Sequence, residues 1–292
     1  MKTILVPTDF SATANNAASY AANFAKNIRA GITLCHAIKV PSEAPMAAQV
    51  AWPLEDYTSL KVETDRELRS LSASLYHEAG IEQTSSGHEF INTSSATGEV
   101  MDMIRNTVEE RKCVMVVMGM SGAGAVNRFF LGSNTRDVIN KATFPLLLIP
   151  AGVGFHPITK IAFATDLDSG DIQLIYSAAS LANYFNAELL IAHITDEQFE
   201  EADDKQKADD FLKDVTCKAN YPKIYYRHIK SKDVMHGLDW LCQHTAIDML
   251  VMVHRRANPI ERLFGISYTQ KLSHHIHIPL LVLPEKLAPV HF

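Results

Sequence analysis

The stretch Ile4-Leu-Val-Pro-Thr-Asp9-Phe10 returns 157 residues further along the chain as Ile161-Ala-Phe-Ala-Thr-Asp166-Leu167. The same offset relates His36 to His193, and each histidine closes a short apolar run. A self-similarity at a fixed offset indicates that one structural unit is present twice, and it has to be recognised before any single motif is interpreted. The sequence therefore predicts an internal duplication.

A second repeated stretch closes each copy. Phe144-Pro-Leu-Leu-Leu-Ile-Pro150 returns as Ile278-Pro-Leu-Leu-Val-Leu-Pro284 at an offset of 134, so the second copy is 23 residues shorter in its middle. The deficit falls on a Pro- and Ala-rich stretch at 41–54, which we interpret as a loop over the first copy. For a chain of this length we predict two domains, at 1–150 and 157–292.

Each copy alternates short apolar runs with helix-length amphipathic segments. In the first copy the runs lie at 3–8, 31–38, 87–92, 113–119 and 145–149. Their continuous apolar character is typical of buried parallel strands. Strand–helix alternation with right-handed crossovers predicts an α/β fold of two doubly wound parallel five-stranded sheets. In such a sheet, ligands bind at the carboxyl ends of the strands.

A glycine-rich segment follows the fourth predicted strand of the first copy. Val114-Met-Val-Val-Met-Gly119-Met-Ser-Gly122 continues to Gly132-Ser133-Asn134. Glycines let backbone N–H groups approach a ligand closely, and a helix that begins at Ser133 would add N–H donors and the positive end of its dipole. This arrangement favours phosphate binding. The segment is neither a Walker loop, since no Gly-Lys-Ser/Thr follows, nor a GxGxxG motif.

Three separate segments are expected to meet at one crevice. Asp9 lies just past the first strand, Ala37 ends the second, and Gly119 ends the fourth. Because parallel strands end at the same edge of the sheet, their last residues converge.

The G-x2-G-x9-G-S spacing resembles the ATP-binding signature of the universal stress protein family, and the whole chain resembles two such domains in tandem. The resemblance implies a Rossmann-like, adenine nucleotide alpha hydrolase-like fold. It also implies that the first copy binds ATP, with Mg²⁺ as counter-ion, the adenine near Asp9 and Ala37 and the phosphates on the glycine loop. The residues that it implicates are Pro7, Thr8, Asp9, Ala37, Met118, Gly119, Gly122, Arg128, Gly132, Ser133 and Asn134.

The second copy departs from this signature. Val253, Arg256 and Ile266 stand where the first copy has Gly119, Gly122 and Gly132. Side chains at these positions would fill the space in which phosphates must touch the backbone. We therefore expect no ATP site of the same kind in the second copy.

Simpler interpretations stand beside these. Asp9 alternatively only caps the following helix, and the glycines alternatively only form a tight turn. We interpret His36 and His193 as packing residues. His274, His275 and His277 are more simply a surface cluster than a metal site. The series Gly119-x-Ser121-x-Ala123 lacks the last glycine of a nucleophile elbow, so a serine hydrolase is disfavoured.

Composition excludes several classes of protein. The net charge is −6 and the pI is about 6.1, which argues against nucleic-acid binding. No apolar run reaches the length of a membrane span, and the first residues do not form a signal peptide. The four cysteines show no CxxC pairing, so we expect free thiols. We expect a cytoplasmic protein that interacts with neither nucleic acid nor membrane.

Two functions stay open at this point. The first is a nucleotide-binding regulatory module of the stress response, with at most slow ATP hydrolysis. The second is an interaction scaffold with a vestigial glycine loop. An enzyme ranks third, since we identify no catalytic residue and no metal ligands. We also expect the two copies to form an internal pseudo-dimer through their last strands, at 146–149 and 280–283, while a homodimer of whole chains stays open.

Overall fold

The computed structural model describes residues 2–38, 54–82, 89–120, 133–196, 204–255, 277–290 and 292. Along the described residues of its first half, strands and helices alternate. The elements are β1 (Lys2–Pro7), α1 (Ala12–Ile28), β2 (Ala30–Ile38), α2 (Leu54–Glu78), β3 (Ile91–Thr97), α3 (Val100–Arg111), β4 (Met115–Gly119), α4 (Ser133–Lys141) and β5 (Leu146–Ile149).

The second half repeats this order of strands. Its elements are β6 (Lys160–Thr165), α5 (Asp171–Phe185), β7 (Glu188–Asp196), α6 (Asp204–Lys218), β8 (Ile224–Ser231), α7 (Val234–His244), β9 (Met249–His254) and β10 (Leu280–Pro284). Residues 151–159 connect the two halves without a helix or strand.

The ten strands in the described part of the chain form one sheet in the order β3-β2-β1-β4-β5-β10-β9-β6-β7-β8. Within each half the five strands are parallel and doubly wound, as predicted. The halves join where β5 and β10 pair antiparallel, with Leu147 opposite Leu281. The prediction that the last strands pair with each other is confirmed. An antiparallel pair between two equivalent strands also protects both edges.

The core lies on both faces of the sheet. Ile4, Leu5 and Val6 of β1 are all fully buried, which explains the continuous apolar run. Ile4 and Val6 belong to a cluster with the inner side of α1, whereas Leu5 belongs to a second cluster on the opposite face. Helices therefore cover the sheet on both sides.

Aromatic side chains connect the two halves on the α1 side. The ring of Phe24 lies 5.4 Å from that of Phe185 in α5, and Tyr20 meets Phe155 edge-on at 5.3 Å. Tyr20, Phe24 and Phe185 belong to a single cluster that extends across the β5–β10 junction. The halves therefore share one apolar core on this face.

The third strand lies later in the chain than predicted. We expected it at 87–92, but β3 spans Ile91–Thr97, and residues 83–88 lie outside the described part of the chain. Its residues Asn92 to Ser95 are polar because β3 is an edge strand and its side chains are only partly buried. The strand is defined by its pairing with β2, in which Ile32 lies opposite Ile91. The hydropathy of the sequence does not reveal it.

Candidate functional site

Hydrogen bonds hold the carboxyl ends of β1 and β2 together. The Thr8 backbone N–H donates to the Cys35 carbonyl at 2.9 Å, and His36 Nδ1 lies 2.8 Å from the Thr8 carbonyl oxygen. A carbonyl can only accept, so this geometry assigns the proton of the ring to Nδ1. His36 fixes the end of β1, which agrees with its interpretation as a packing residue.

The turn after β1 places Asp9 at the surface of the crevice. Phe10 has a left-handed backbone (φ 60°), and its N–H donates to Thr8 Oγ1 at 2.9 Å. The Phe10 ring stacks on His36 with centroids 4.8 Å apart. Asp9 is exposed, and its Oδ1 accepts from the Ser11 N–H at 3.1 Å. Packing of Phe10 offsets the strain of a left-handed non-glycine residue.

The cap of α1 is Ser11. Its Oγ accepts from the Ala14 N–H at 3.2 Å, and its backbone is extended, as expected of an N-cap. The alternative in which Asp9 serves only as the helix cap is therefore wrong. Asp9 stabilises the turn that precedes the helix, and its carboxylate stays at the crevice.

Gly119 lies against the first turn of α1. A Cβ at this position would come within 2.7 Å of Thr13 Cγ2 and 2.9 Å of the Thr13 carbonyl oxygen. Glycine is thus required at the end of β4 for packing against the helix, with or without a ligand. From the sequence, this glycine was explained by the approach of phosphates or by a tight turn, and the packing against Thr13 was missed.

The start of α4 is bound to the same strand end. Helix α4 begins at Ser133, as predicted. The Thr135 hydroxyl, almost fully buried, donates to the Gly119 carbonyl at 3.2 Å, and Asn134 beside it is exposed. The amino end of this helix is therefore held near the carboxyl end of β4.

The structure brings several of the candidate residues to this edge of the sheet. Pro7 lies opposite Cys35, and β4 runs beside β1 with Leu5 opposite Val116, so β4 ends beside the end of β1. Thr8 is almost fully buried. The candidates placed at this edge are Pro7, Thr8, Asp9, Ala37, Met118, Gly119 and the backbone of Ser133 and Asn134. Gly122, Arg128 and Gly132 lie outside the described residues.

The second half repeats the turn almost bond for bond. Leu167 is left-handed (φ 63°), and its N–H donates to Thr165 Oγ1 at 2.9 Å. The Asp168 N–H donates to Asp166 Oδ1 at 3.4 Å, and His193 Nδ1 lies 3.0 Å from the Thr165 carbonyl oxygen. The duplication therefore extends to the hydrogen bonds of the crevice.

An arginine occupies the crevice of the second half. Arg255 Nη1 donates to both carboxylate oxygens of Asp166, at 2.7 and 2.6 Å, and its Nη2 donates to Asp171 Oδ1 at 2.6 Å. The other oxygen of Asp171 accepts from Thr165 Oγ1 at 2.7 Å. The Asp171 side chain is 1% exposed and that of Arg255 is 18% exposed. This guanidinium connects the ends of β6 and β9 with the first turn of α5.

Two more carboxylates surround the same guanidinium. Asp168 lies 3.8 Å from Nη2, and Glu285, just after β10, lies 3.7 Å from Nε. Burial raises the pKa of Asp171 to about 6, while its hydrogen bond with Thr165 and the charge of Arg255 act in the opposite direction. Sequence reasoning missed Arg255 because it followed the glycine positions. The acidic series Asp166-x-Asp168-x-x-Asp171 was the available signal.

Other expectations can be compared with the described part of the chain. The four cysteines are free thiols, as predicted. Among the described residues, which include His277 but not His274 or His275, no three His, Cys, Asp or Glu side chains are grouped to hold a metal ion. Within the same residues, the helices are too short or too polar to cross a membrane.

Comparison with known proteins gives a consistent result. The model of the universal stress protein family matches residues 1–150 and again residues 157–284. The universal stress protein MJ0531 of Methanocaldococcus jannaschii is 28% identical over 148 residues, which cover 51% of this chain and 81% of that protein.

Solved structures share the whole arrangement. A universal stress protein from Archaeoglobus fulgidus superposes with a TM-score of 0.71 at 17% identity, over 97% of this chain and 98% of that one. Protein PA1789 of Pseudomonas aeruginosa, of unknown function, superposes with a TM-score of 0.58 at 13% identity, over 97% and 92%. These likenesses show a common fold, and the family model covers nearly the whole chain. The chain therefore belongs to the universal stress protein family, whose model it matches twice.

Proposed function

We propose that this protein is a nucleotide-dependent regulatory module of the stress response that binds one ATP, with Mg²⁺ as counter-ion, in the crevice of its first half. The observation that supports the proposal is the convergence of three segments at one edge of the sheet. The turn at Asp9, the end of β4 at Gly119 and the start of α4 are held there by hydrogen bonds and close packing. Ligands of doubly wound sheets bind at such an edge.

The proposed contacts divide between base and phosphates. Asp9 and Ala37 would lie beside the adenine, with Pro7, Thr8 and Met118 completing that end of the crevice. The backbone N–H groups of Gly119, Gly122 and Gly132 to Asn134, the Ser133 hydroxyl and Arg128 would bind the phosphates. Charge-assisted hydrogen bonds contribute about 1.5–3 kcal/mol each. Several of them would give the roughly −8 kcal/mol that micromolar affinity requires, after the costs of association.

Within this proposal the chain consists of two domains, 1–150 and 157–292, and only the first takes nucleotide. We propose regulation rather than catalysis, with at most slow ATP hydrolysis. The second candidate is an interaction scaffold in which the glycine loop is vestigial. One observation favours it: packing against Thr13 requires Gly119 even if no ligand binds.

Titration calorimetry with Mg²⁺–ATP distinguishes the two candidates. We expect saturable micromolar binding with one site per chain for the unchanged protein. The variant Gly122→Val should lose binding, because a branched side chain would block the approach of phosphate to the backbone.

The control is Gly154→Val in the connecting segment, where an added Cβ would meet nothing within 4 Å. This variant should bind ATP like the unchanged protein. If the unchanged protein takes up no ATP, or Gly122→Val binds equally well, the nucleotide proposal is wrong and the scaffold takes its place.

A further inference from the structure

The two crevices differ in what lies at the end of the fourth strand of each half. β4 and β9 correspond at an offset of 134, Met115 to Met249, so Arg255 is the counterpart of Ser121, at the start of the glycine loop. In the second half the guanidinium of the residue at this position lies in the crevice. At the same place in the sequence the first half has a glycine-rich segment.

Carboxylates from three places in the chain surround the guanidinium. Asp166 and Asp168 follow β6, Asp171 belongs to the first turn of α5, and Glu285 follows β10. Among the residues that the structure describes, four carboxylates face this one guanidinium, so they leave their part of the crevice acidic even with the guanidinium in place. An acidic crevice repels phosphate and attracts cations.

Geometry separates this cluster from an ordinary surface ion pair. Nη1 of the guanidinium contacts both oxygens of Asp166 while Nη2 contacts Asp171, so the planar fork bridges two carboxylates with two different nitrogens, whereas a lysine has only one. Asp171 is almost completely buried and is held on its other oxygen by Thr165. The acceptors are therefore preorganised for a flat cation.

We propose that Arg255 is the resident, covalently tethered ligand of the second crevice, and that this crevice is a site for planar cations of the guanidinium class rather than for nucleotides. The occupancy of the second crevice rests on the contacts of Arg255 alone. This proposal is independent of whether the first crevice binds ATP.

Chemical rescue tests this proposal on the full chain. Arg255→Ala leaves the buried carboxylate of Asp171 without its cationic partner. We therefore expect the melting temperature of this variant at pH 7.5 to fall by about 5 °C. Methylguanidinium at millimolar concentration should refill the vacated position and restore the melting temperature saturably. Sodium chloride at the same ionic strength should not, and ATP should not stabilise Arg255→Ala beyond its effect on the unchanged protein.

Arg227→Ala is the matched control. Arg227 lies 5.0 Å over the ring of Trp240, outside the acidic crevice, so its loss should not be rescued by methylguanidinium. Arg255→Lys provides a second variant should the alanine variant not fold. Its melting temperature should lie below that of the unchanged protein, because an ammonium group lacks the planar fork.

Four outcomes would overturn the proposal. They are an unchanged melting temperature in Arg255→Ala, rescue by sodium chloride equal to that by methylguanidinium, a greater stabilisation by ATP in Arg255→Ala than in the unchanged protein, and full stability of Arg255→Lys. The ATP titration of the first crevice is read separately, with Gly122→Val, so failure of one proposal is distinguishable from failure of the other.

Discussion

Small and large side chains are exchanged between the two copies at the contact of strand and helix. In the first half Gly119 faces Thr13, while their counterparts at the repeat offsets are Val253 and Gly170. The glycine thus stands on the strand in one copy and at the start of the helix in the other. Val253 is buried. Its burial is consistent with a packing role for this valine in the second half. The sequence alone indicated only that a phosphate-binding glycine is absent there.

This exchange predicts coupling between Gly119 and Thr13. Gly119→Ala should lower the free energy of unfolding by about 1–3 kcal/mol, because the added Cβ overlaps Thr13. Adding Thr13→Gly should recover part of that loss, so the double variant is less destabilised than the sum of the singles. Urea unfolding measures all three. Gly154→Ala, in open space, should change stability by less than about 0.5 kcal/mol. Strict additivity would show that Thr13 does not require the glycine.

Asp171 predicts a pH dependence of stability. Its pKa is raised from 3.8 to about 6 in the folded protein, so the folded state holds this proton more tightly than the unfolded state. Protonated Asp171 therefore contributes to the free energy of unfolding. This contribution is fully present below about pH 4 and is lost as the pH rises through about 6.

Asp171→Asn should remove this dependence. The difference in unfolding free energy between the unchanged protein and Asp171→Asn should shift by up to about 2–3 kcal/mol in favour of the variant between pH 4 and pH 7. Urea midpoints across that range measure it. Asp168→Asn, at an exposed carboxylate of the same crevice, is the control. A difference that stays constant with pH would contradict the assignment.

At the scale of elements, the unit that repeats is a strand, a turn with one left-handed residue, and a helix. Phe10 and Leu167 occupy that left-handed position, and a threonine hydroxyl accepts from the N–H of each. The threonine and aspartate of both repeated stretches are explained by this turn, since their side chains satisfy backbone donors that leave the strand. The turn sets the direction of the helix and leaves an aspartate at the crevice in both copies.

At the scale of the whole molecule, antiparallel pairing of β5 with β10 makes one sheet from two copies. Aromatic residues add a side-chain contact between the two halves. Phe24 and Phe185 come from different halves, and their rings lie 5.4 Å apart. Aromatic pairs contribute about 0.5–1.5 kcal/mol beyond the burial of their surface. The two halves are therefore expected to unfold together.

A double-mutant cycle measures the coupling free energy of this aromatic contact between the halves. Phe24→Ala and Phe185→Ala should show a coupling free energy of about 0.5–1.5 kcal/mol, because each removes the partner of the other. The control cycle combines Phe24→Ala with Phe144→Ala, since Phe144 belongs to the core cluster on the opposite face of the sheet. That pair should be additive. Equal coupling in both cycles would indicate a general loss of packing rather than a contact across the halves.

The sequence by itself determined the duplication, the α/β class, the start of α4 at Ser133 and the pairing of the last strands. The duplication follows from a repeat, the α/β class from local periodicity, and the helix start from the Gly132-Ser133 pair. The pairing follows from the need of an apolar edge strand for a partner. It located β3 poorly, because an edge strand carries little hydrophobic signal. Only the tertiary structure decided that Gly119 is required by Thr13 and that Arg255 fills the second crevice. The guanidinium and the carboxylate of Asp166 are separated by 89 residues in the chain. They meet because parallel strands bring their carboxyl ends to one edge, and no local pattern specifies which side chains face each other there.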